Sequence, residues 1–267
     1  MSRWPGRRQG TRLAVGTFTI LPVGMPARVD RAAARGAMLI APLIGILLGA
    51  IAAAVLVAVR ALLPSTLGAF LAAVLAIATL AYLTRALHLD GLADTADALG
   101  SGRRGNAALE IARRGDVGPF GVVTVVLVLL VQVTALAVAT DAGWGALTLI
   151  VAVVTGRLAA MAACTRGIPA ASPEGLGALV AGTVPRTAAF AWVVVALGLA
   201  ALAGTWLTGV AWAPALAVIC GLGLALGLVA RSAERLGGIN GDVLGAAVEL
   251  SMTTAIVVLA VGASVSA

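Results

Sequence analysis

AMLIAPLIGILLGAIAAAVLVAV, residues 37–59, holds twenty-three residues and no charged side chain. A helix rises 1.5 Å per residue, so about 20 apolar residues cross a hydrocarbon layer about 30 Å thick. Arg35 precedes the run and Arg60 follows it. The stretch predicts a transmembrane helix, and six more like it follow, at 66–83, 118–139, 144–164, 187–206, 211–230 and 243–264. Pro64 and Ser65 part the first two, and Asp141, Ala142 and Gly143 part the third from the fourth. The expected fold class is all-α: a polytopic integral membrane protein with about seven transmembrane helices and catalytic loops on the cytoplasmic side. Residues 1–267 are read as one membrane-embedded domain. A mean hydropathy of +1.09 and a charged fraction of 11% exclude an ordinary soluble domain.

The segment before the first span, 11–36, is too short and too basic to cross. It reads as an amphipathic or re-entrant piece at the interface. The apolar run from Leu13 to Val23 carries Pro22 and no persuasive small-residue cleavage site, so it is not read as a removed signal peptide. The two cysteines, Cys164 and Cys220, lie in or at the end of apolar runs without metal or redox spacing.

All 18 basic residues are arginine, and their positions set the orientation. Sixteen fall before the first span or in the connections after spans two, four and six. Arg60 alone falls in the opposite connections, and Arg157 lies inside a span. The N-terminus and the even-numbered connections are therefore expected in the cytoplasm of a cell whose plasma (inner) membrane holds the chain, with the C-terminus outside. The net charge of +7 reflects this topology, and nothing in the chain reads as a nucleic-acid motif. Asp90, Asp94, Asp97, Glu110, Asp116, Glu174, Glu234 and Asp242 sort to the same side, which the arginine rule does not require.

HLDGLADTADAL, residues 88–99, concentrates three aspartates and the only histidine between two apolar blocks. Asp90, Asp94 and Asp97 are spaced i, i+4, i+7, which puts them within about a 60° arc of one helix. Carboxylates so close raise one another's pKa unless a cation lies between them. A hard divalent cation takes oxygen ligands and bridges substrate phosphates through one or two carboxylates. The plain alternative is a solvated helix face. His88 lies on another face and is either structural or a substrate contact. Gly91 would admit another backbone or a ligand.

ARRGDVGPFG, residues 112–121, sets Asp116 in a turn flanked by Arg113 and Arg114. Such a turn can supply a metal ligand and phosphate clamps, or a helix cap beside an ordinary basic flank. RSAERLGGINGDVLGA, residues 231–246, surrounds Asn240 with Gly237, Gly238 and Gly241 and then places Asp242, a plausible phosphate cradle at a helix start. Arg157 and Glu249 are charges within spans. They either pair or let Arg157 reach a substrate phosphate. PEGLGALVAG, residues 173–182, reads as a flexible lid or a packing segment. Together these groups suit metal-assisted transfer of a substituted phosphoryl group at a membrane face.

HLDGLADTADAL, then RRGDVGPFGV (113–122), then RLGGINGDVLGA (235–246) resemble the cobalamin synthase family, the adenosylcobinamide-GDP ribazoletransferases. TFTILPVG, residues 17–24, resembles that family's opening segment, and the likeness runs from near residue 11 to about 250. The resemblance implies that adenosylcobinamide-GDP and α-ribazole, or its 5′-phosphate, give adenosylcobalamin, or its phosphate, and GMP. It implies Mg2+ as cofactor and the ribazole 5′-oxygen as attacking atom. Asp90 and Asp94 would be the primary metal ligands, supported by Asp97 and Asp116. Asp90, Asp94 and Asp116 would be catalytic. His88, Arg113, Arg114, Arg157, Gly238, Asn240 and Asp242 would contact substrate, with Asp242 and the glycine turn holding pyrophosphate or a second metal. Homo-oligomerisation is left open.

Two rivals are weighed. A CDP-alcohol phosphatidyltransferase also uses membrane-embedded aspartates with Mg2+, but the arginine and second half of its signature are missing after Asp90, Gly91, Leu92 and Ala93. A transporter would place its acids near the bilayer midplane, whereas most here fall in connections.

Overall fold

A computed structural model of the chain describes residues 5–24, 26, 29–112 and 116–266. It consists of helices: α1 Pro5–Phe18, α2 Arg31–Leu62, α3 Thr66–Leu83, α4 Leu87–Gly100, α5 Asn106–Ala112, α6 Pro119–Asp141, α7 Gly145–Ala163, α8 Gly175–Val180, α9 Arg186–Thr208, α10 Trp212–Leu236 and α11 Gly241–Ser266. Among the described residues β-pairing is limited to two isolated bridges, Thr165 with Val184 and Ala170 with Ile239. Seven helices, α2, α3, α6, α7, α9, α10 and α11, are long and apolar enough to cross a membrane. They are the seven expected runs. The protein is a multi-pass membrane protein.

The boundaries move where caps decide them. The first span starts at Arg31 rather than 37, because Asp30 Oδ1 accepts the Ala33 N–H at 2.9 Å and caps the helix ahead of its basic turns. Ser65 caps α3 in the same way, through Gly68 N–H at 3.1 Å. The sixth span runs on to Leu236 and stops where Gly237 takes a left-handed φ of 87°.

α7 and α11 form the centre. In their most apolar stretches 83% and 72% of residues are buried, against 22% in α6 and 17% in α9. Small residues set the spacing. A Cβ on Gly49 would come within 3.0 Å of Ile150 Cα, so α2 lies close on α7. A Cβ on Gly156 would meet Val248 at 3.1 Å, so α7 lies close on α11. α6 and α9 turn their apolar faces outward, as spans at a lipid boundary must.

The N-terminal segment does not cross. α1 packs along the start of α2, where Gly10 and Gly36 touch backbone to backbone. The chain then runs extended, with Ile20 N–H donating to the Leu83 carbonyl at 2.8 Å. Seven alternating passages leave α1, α4, α5, α8 and the turn before α11 at one end. Cross-ties bear this out: Arg31 donates to the carbonyls of Ala178 and Ala181, and Gly105 N–H to the carbonyl of Arg235. At the other end Arg60 meets Asp141 at 3.1 Å.

Candidate functional site

The site begins with a reversal. Arg85 and Ala86, neither of them glycine, take left-handed φ values of 55° and 53°. This folds the chain back from α3 and lays α4 across the end of the bundle. The Arg85 guanidinium holds the corner by donating to the Gly16 carbonyl at 2.8 Å.

α4 meets the first turns of α11 at glycines. A Cβ on Gly91 would lie 2.8 Å from the Asp242 carbonyl oxygen and 2.9 Å from its Cα. A Cβ on Gly245 would lie 3.1 Å from the His88 carbonyl. Only with hydrogen at both positions can the two backbones touch. The contact brings the aspartates of HLDGLADTADAL beside the aspartate of GGINGD, although the two motifs are far apart in the chain.

The electrostatic consequence falls on Asp94. Burial, then the charges of Asp242, Asp90 and Asp97, push its carboxyl up from 3.8 to about 6. Three carboxylates thus act on a fourth, and a cation there would relieve Asp94. Among the described residues no three His, Cys, Asp or Glu side chains converge tightly enough to enclose a metal by themselves. An ion held here would take one or two of these carboxylates and draw the rest of its shell from elsewhere.

Other expected residues serve the architecture. Asp97 is buried, and its carboxylate accepts the N–H of Gly118 at 2.7 Å and of Gly121 at 3.0 Å, which ties α4 to the start of α6. A Cβ at either glycine would strike that carboxylate, which explains GPFG. Asp116 is exposed in the bend before α6 and is not among the charges acting on Asp94. Arg113 and Arg114 lie outside the described residues.

The glycine turn is also more occupied than a bare phosphate cradle would be. Asn240 Oδ1 accepts the Val243 N–H at 2.9 Å and caps α11, while its amide donates to Asp242 at 2.7 Å. Ile239 N–H donates to the Pro169 carbonyl at 2.9 Å. Gly238 passes so close to Pro169 and Ala170 that a Cβ would overlap both. The segment 173–182 packs here too, with Gly177 against the backbone of Ile239 and Asn240. Of its two readings, packing is the one the structure carries.

Behind the acids lies a cavity of about 250 Å³, with Asp90 and Asp242 in its wall and Phe18, Met38, Ala160 and Val248 among its apolar residues. His88 is 4% exposed and stacks on Phe18, ring centroids 6.1 Å apart at 12°. Burial, then the positive charge of Arg157, holds its imidazole well below the usual range, so it is neutral at physiological pH. His88 also borders a second cavity of about 20 Å³, room for one water, with Gln132, Arg157 and Glu249. Gln132 donates to Glu249 at 2.9 Å, while Arg157 Nε, Gln132 Oε1 and His88 Nε2 are buried without a partner. Arg157 is 2% exposed and borders this small cavity together with Glu249, without an ion pair between the two among the described residues. Sequence reasoning passed over Gln132 and the apolar wall. Gln132 did leave a signal, an amide alone amid VVLVLLVQV (residues 125–133).

A family model described as cobalamin-5-phosphate synthase matches residues 10–260. A Frankia casuarinae protein named adenosylcobinamide-GDP ribazoletransferase is 42% identical over 260 residues, 93% of either chain. A Nocardioides protein of the same name is 42% identical over 245 residues, 92% of this chain and 95% of its own. A Pseudomonas putida protein, again of that name, is 43% identical over 188 residues, 70% of this chain and 73% of its own. No solved structure matches the chain.

Proposed function

Because the chain belongs to the cobalamin-5-phosphate synthase family, we propose that it joins adenosylcobinamide-GDP to α-ribazole or α-ribazole 5′-phosphate. The products are adenosylcobalamin, or its phosphate, and GMP. The observation that carries this reading is the docking of Gly91 on Asp242, which sets the acids of α4 and α11 side by side at one end of a membrane bundle.

A hydroxyl of the acceptor's ribose attacks the phosphorus joined to the cobinamide arm. The anhydride bond to the second phosphorus breaks, GMP leaves, and the proton of the hydroxyl passes to a carboxylate of the acid group. Substrate logic corrects one expectation. An acceptor that already carries a 5′-phosphate, and keeps it in the product, has no free 5′-oxygen, so the attacking atom is another ribose hydroxyl. Asp90 and Asp94 would hold Mg2+, with Asp242 from α11 supporting it or the pyrophosphate. Mg2+ bound there supplies the positive charge that offsets the pyrophosphate. Arg113 and Arg114 would serve the non-bridging oxygens. The sixteen-to-one distribution of arginines supports a plasma-membrane protein with this end in the cytoplasm.

The test is synthesis by the full-length protein in detergent, following GMP and cobalamin together. Asp90→Ala and Asp94→Ala should each lower the Mg2+-dependent rate about 100-fold or more. Folded variants that keep the full rate would sink the assignment.

A further inference from the structure

The cavity behind the acids is sized and lined for one part of one substrate. Its volume is about 250 Å³, and Phe18, Met38, Leu87, Ala160, Leu244 and Val248 are among the apolar residues of its wall. A corrin ring with its fringe of amides cannot enter so small a space. The acceptor's base is a dimethylbenzimidazole: flat, bicyclic and edged with carbon. It matches the cavity in size and polarity. The stacked rings of Phe18 and His88 give the cavity a flat aromatic element suited to such a base. Asp90 and Asp242 stand in the same wall, so a base seated here holds its ribose next to the acids.

We propose that this cavity seats the benzimidazole base of the acceptor and that Ala160 and Met38 set which bases fit. The proposal rests on reading the acid group as the transfer centre. It adds specificity-determining residues on α2 and α7, neither of which carries any of the motifs.

The experiment uses the full-length protein in detergent with three acceptors: α-ribazole, the riboside of unmethylated benzimidazole, and the riboside of the larger naphthimidazole. KM is measured separately for the acceptor and for adenosylcobinamide-GDP. Ala160→Leu should raise the KM for α-ribazole about 10-fold or more, in line with the selectivity of apolar pockets. It should raise the KM for the unmethylated riboside much less. Met38→Ala should favour the naphthimidazole riboside relative to α-ribazole. The KM for adenosylcobinamide-GDP should stay within about twofold in both. A shift in that KM instead, or an unchanged order of acceptors, would overturn the base seat. Should Ala160→Leu fail to fold, Met38→Ala decides alone, and unchanged acceptor ratios overturn the proposal. A wild-type protein that releases no GMP with any acceptor would instead overturn the transfer function itself.

Discussion

Asp94 is the side chain on which burial and three neighbouring charges converge. Its carboxyl is raised from 3.8 to about 6 by burial first and then by Asp242, Asp90 and Asp97. A carboxyl whose folded pKa lies above its unfolded value disfavours the fold only when charged. The penalty is absent below about pH 4, grows through the interval and is complete above about pH 6. A divalent ion offsets the penalty and competes with the proton for the same oxygens. The Mg2+ concentration needed for half-maximal activity should therefore rise as pH falls through about 6. Asp94→Asn cannot take up that proton, so whatever activity it retains should lose this step. Activity titrated with Mg2+ at several pH values checks this, and an identical profile in the variant would refute it. Asp90 and Asp94 were legible because i, i+4 spacing maps directly onto a helix face. The pressure from Asp242 was not, since it arises where Gly91 and Gly245 let α4 and α11 touch, and a glycine in a sequence does not name its neighbour.

Among the elements, α4 is placed by a cap that belongs to another helix. Asp97 accepts two N–H groups at the start of α6, so it does for α6 what a local N-cap would do, from across a loop. Asp97→Ala would strand Gly118 and Gly121 N–H groups at a partly buried helix start. The expected cost is about 2–3 kcal/mol, seen as a lower Tm in detergent, because hydrogen bonds to a charged group are the stronger kind. Asp97→Asn keeps one acceptor oxygen and should lose less. Equal melting of both variants and the wild type would show that the cap carries no weight. The same contact marks a limit of sequence reading. Gly118 reads as a turn residue, yet the lack of a Cβ there and at Gly121 is what admits the Asp97 carboxylate. The seven spans were plain because length and apolarity suffice for them, and their ends shifted by more than three residues only where Asp30 or Gly237 overrode the hydropathy. The cavity wall was invisible for the opposite reason. Met38 and Ala160 are ordinary apolar residues of apolar spans until α1, α4 and α11 close around them.

At the scale of the whole molecule, the fold divides its polar chemistry between two ends. One end gathers α1, α4, α5, α8 and the turn before α11. The other holds little beyond the Arg60 and Asp141 pair, whose side chains are 27% and 43% exposed, so that it stabilises by no more than about 1 kcal/mol. Orientation therefore cannot come from that pair. The proposed orientation rests instead on the cost of carrying arginines outward during insertion, which sixteen residues impose against one. Cysteine labelling tests both the fold and its direction. In a Cys164→Ala, Cys220→Ala background, Arg103→Cys and Glu174→Cys lie at the acid-bearing end, and Pro64→Cys and Ala142→Cys at the other, all four at exposed positions. An impermeant maleimide applied to intact cells whose outer membrane has been opened should label Pro64→Cys and Ala142→Cys. Arg103→Cys and Glu174→Cys should react only after lysis. The reverse pattern would overturn the cytoplasmic placement of the site while leaving the bundle intact. Labelling of positions 103 and 174 from opposite sides would break the bundle itself, because the connection of α3 to α6 and that of α7 to α9 could then no longer share an end.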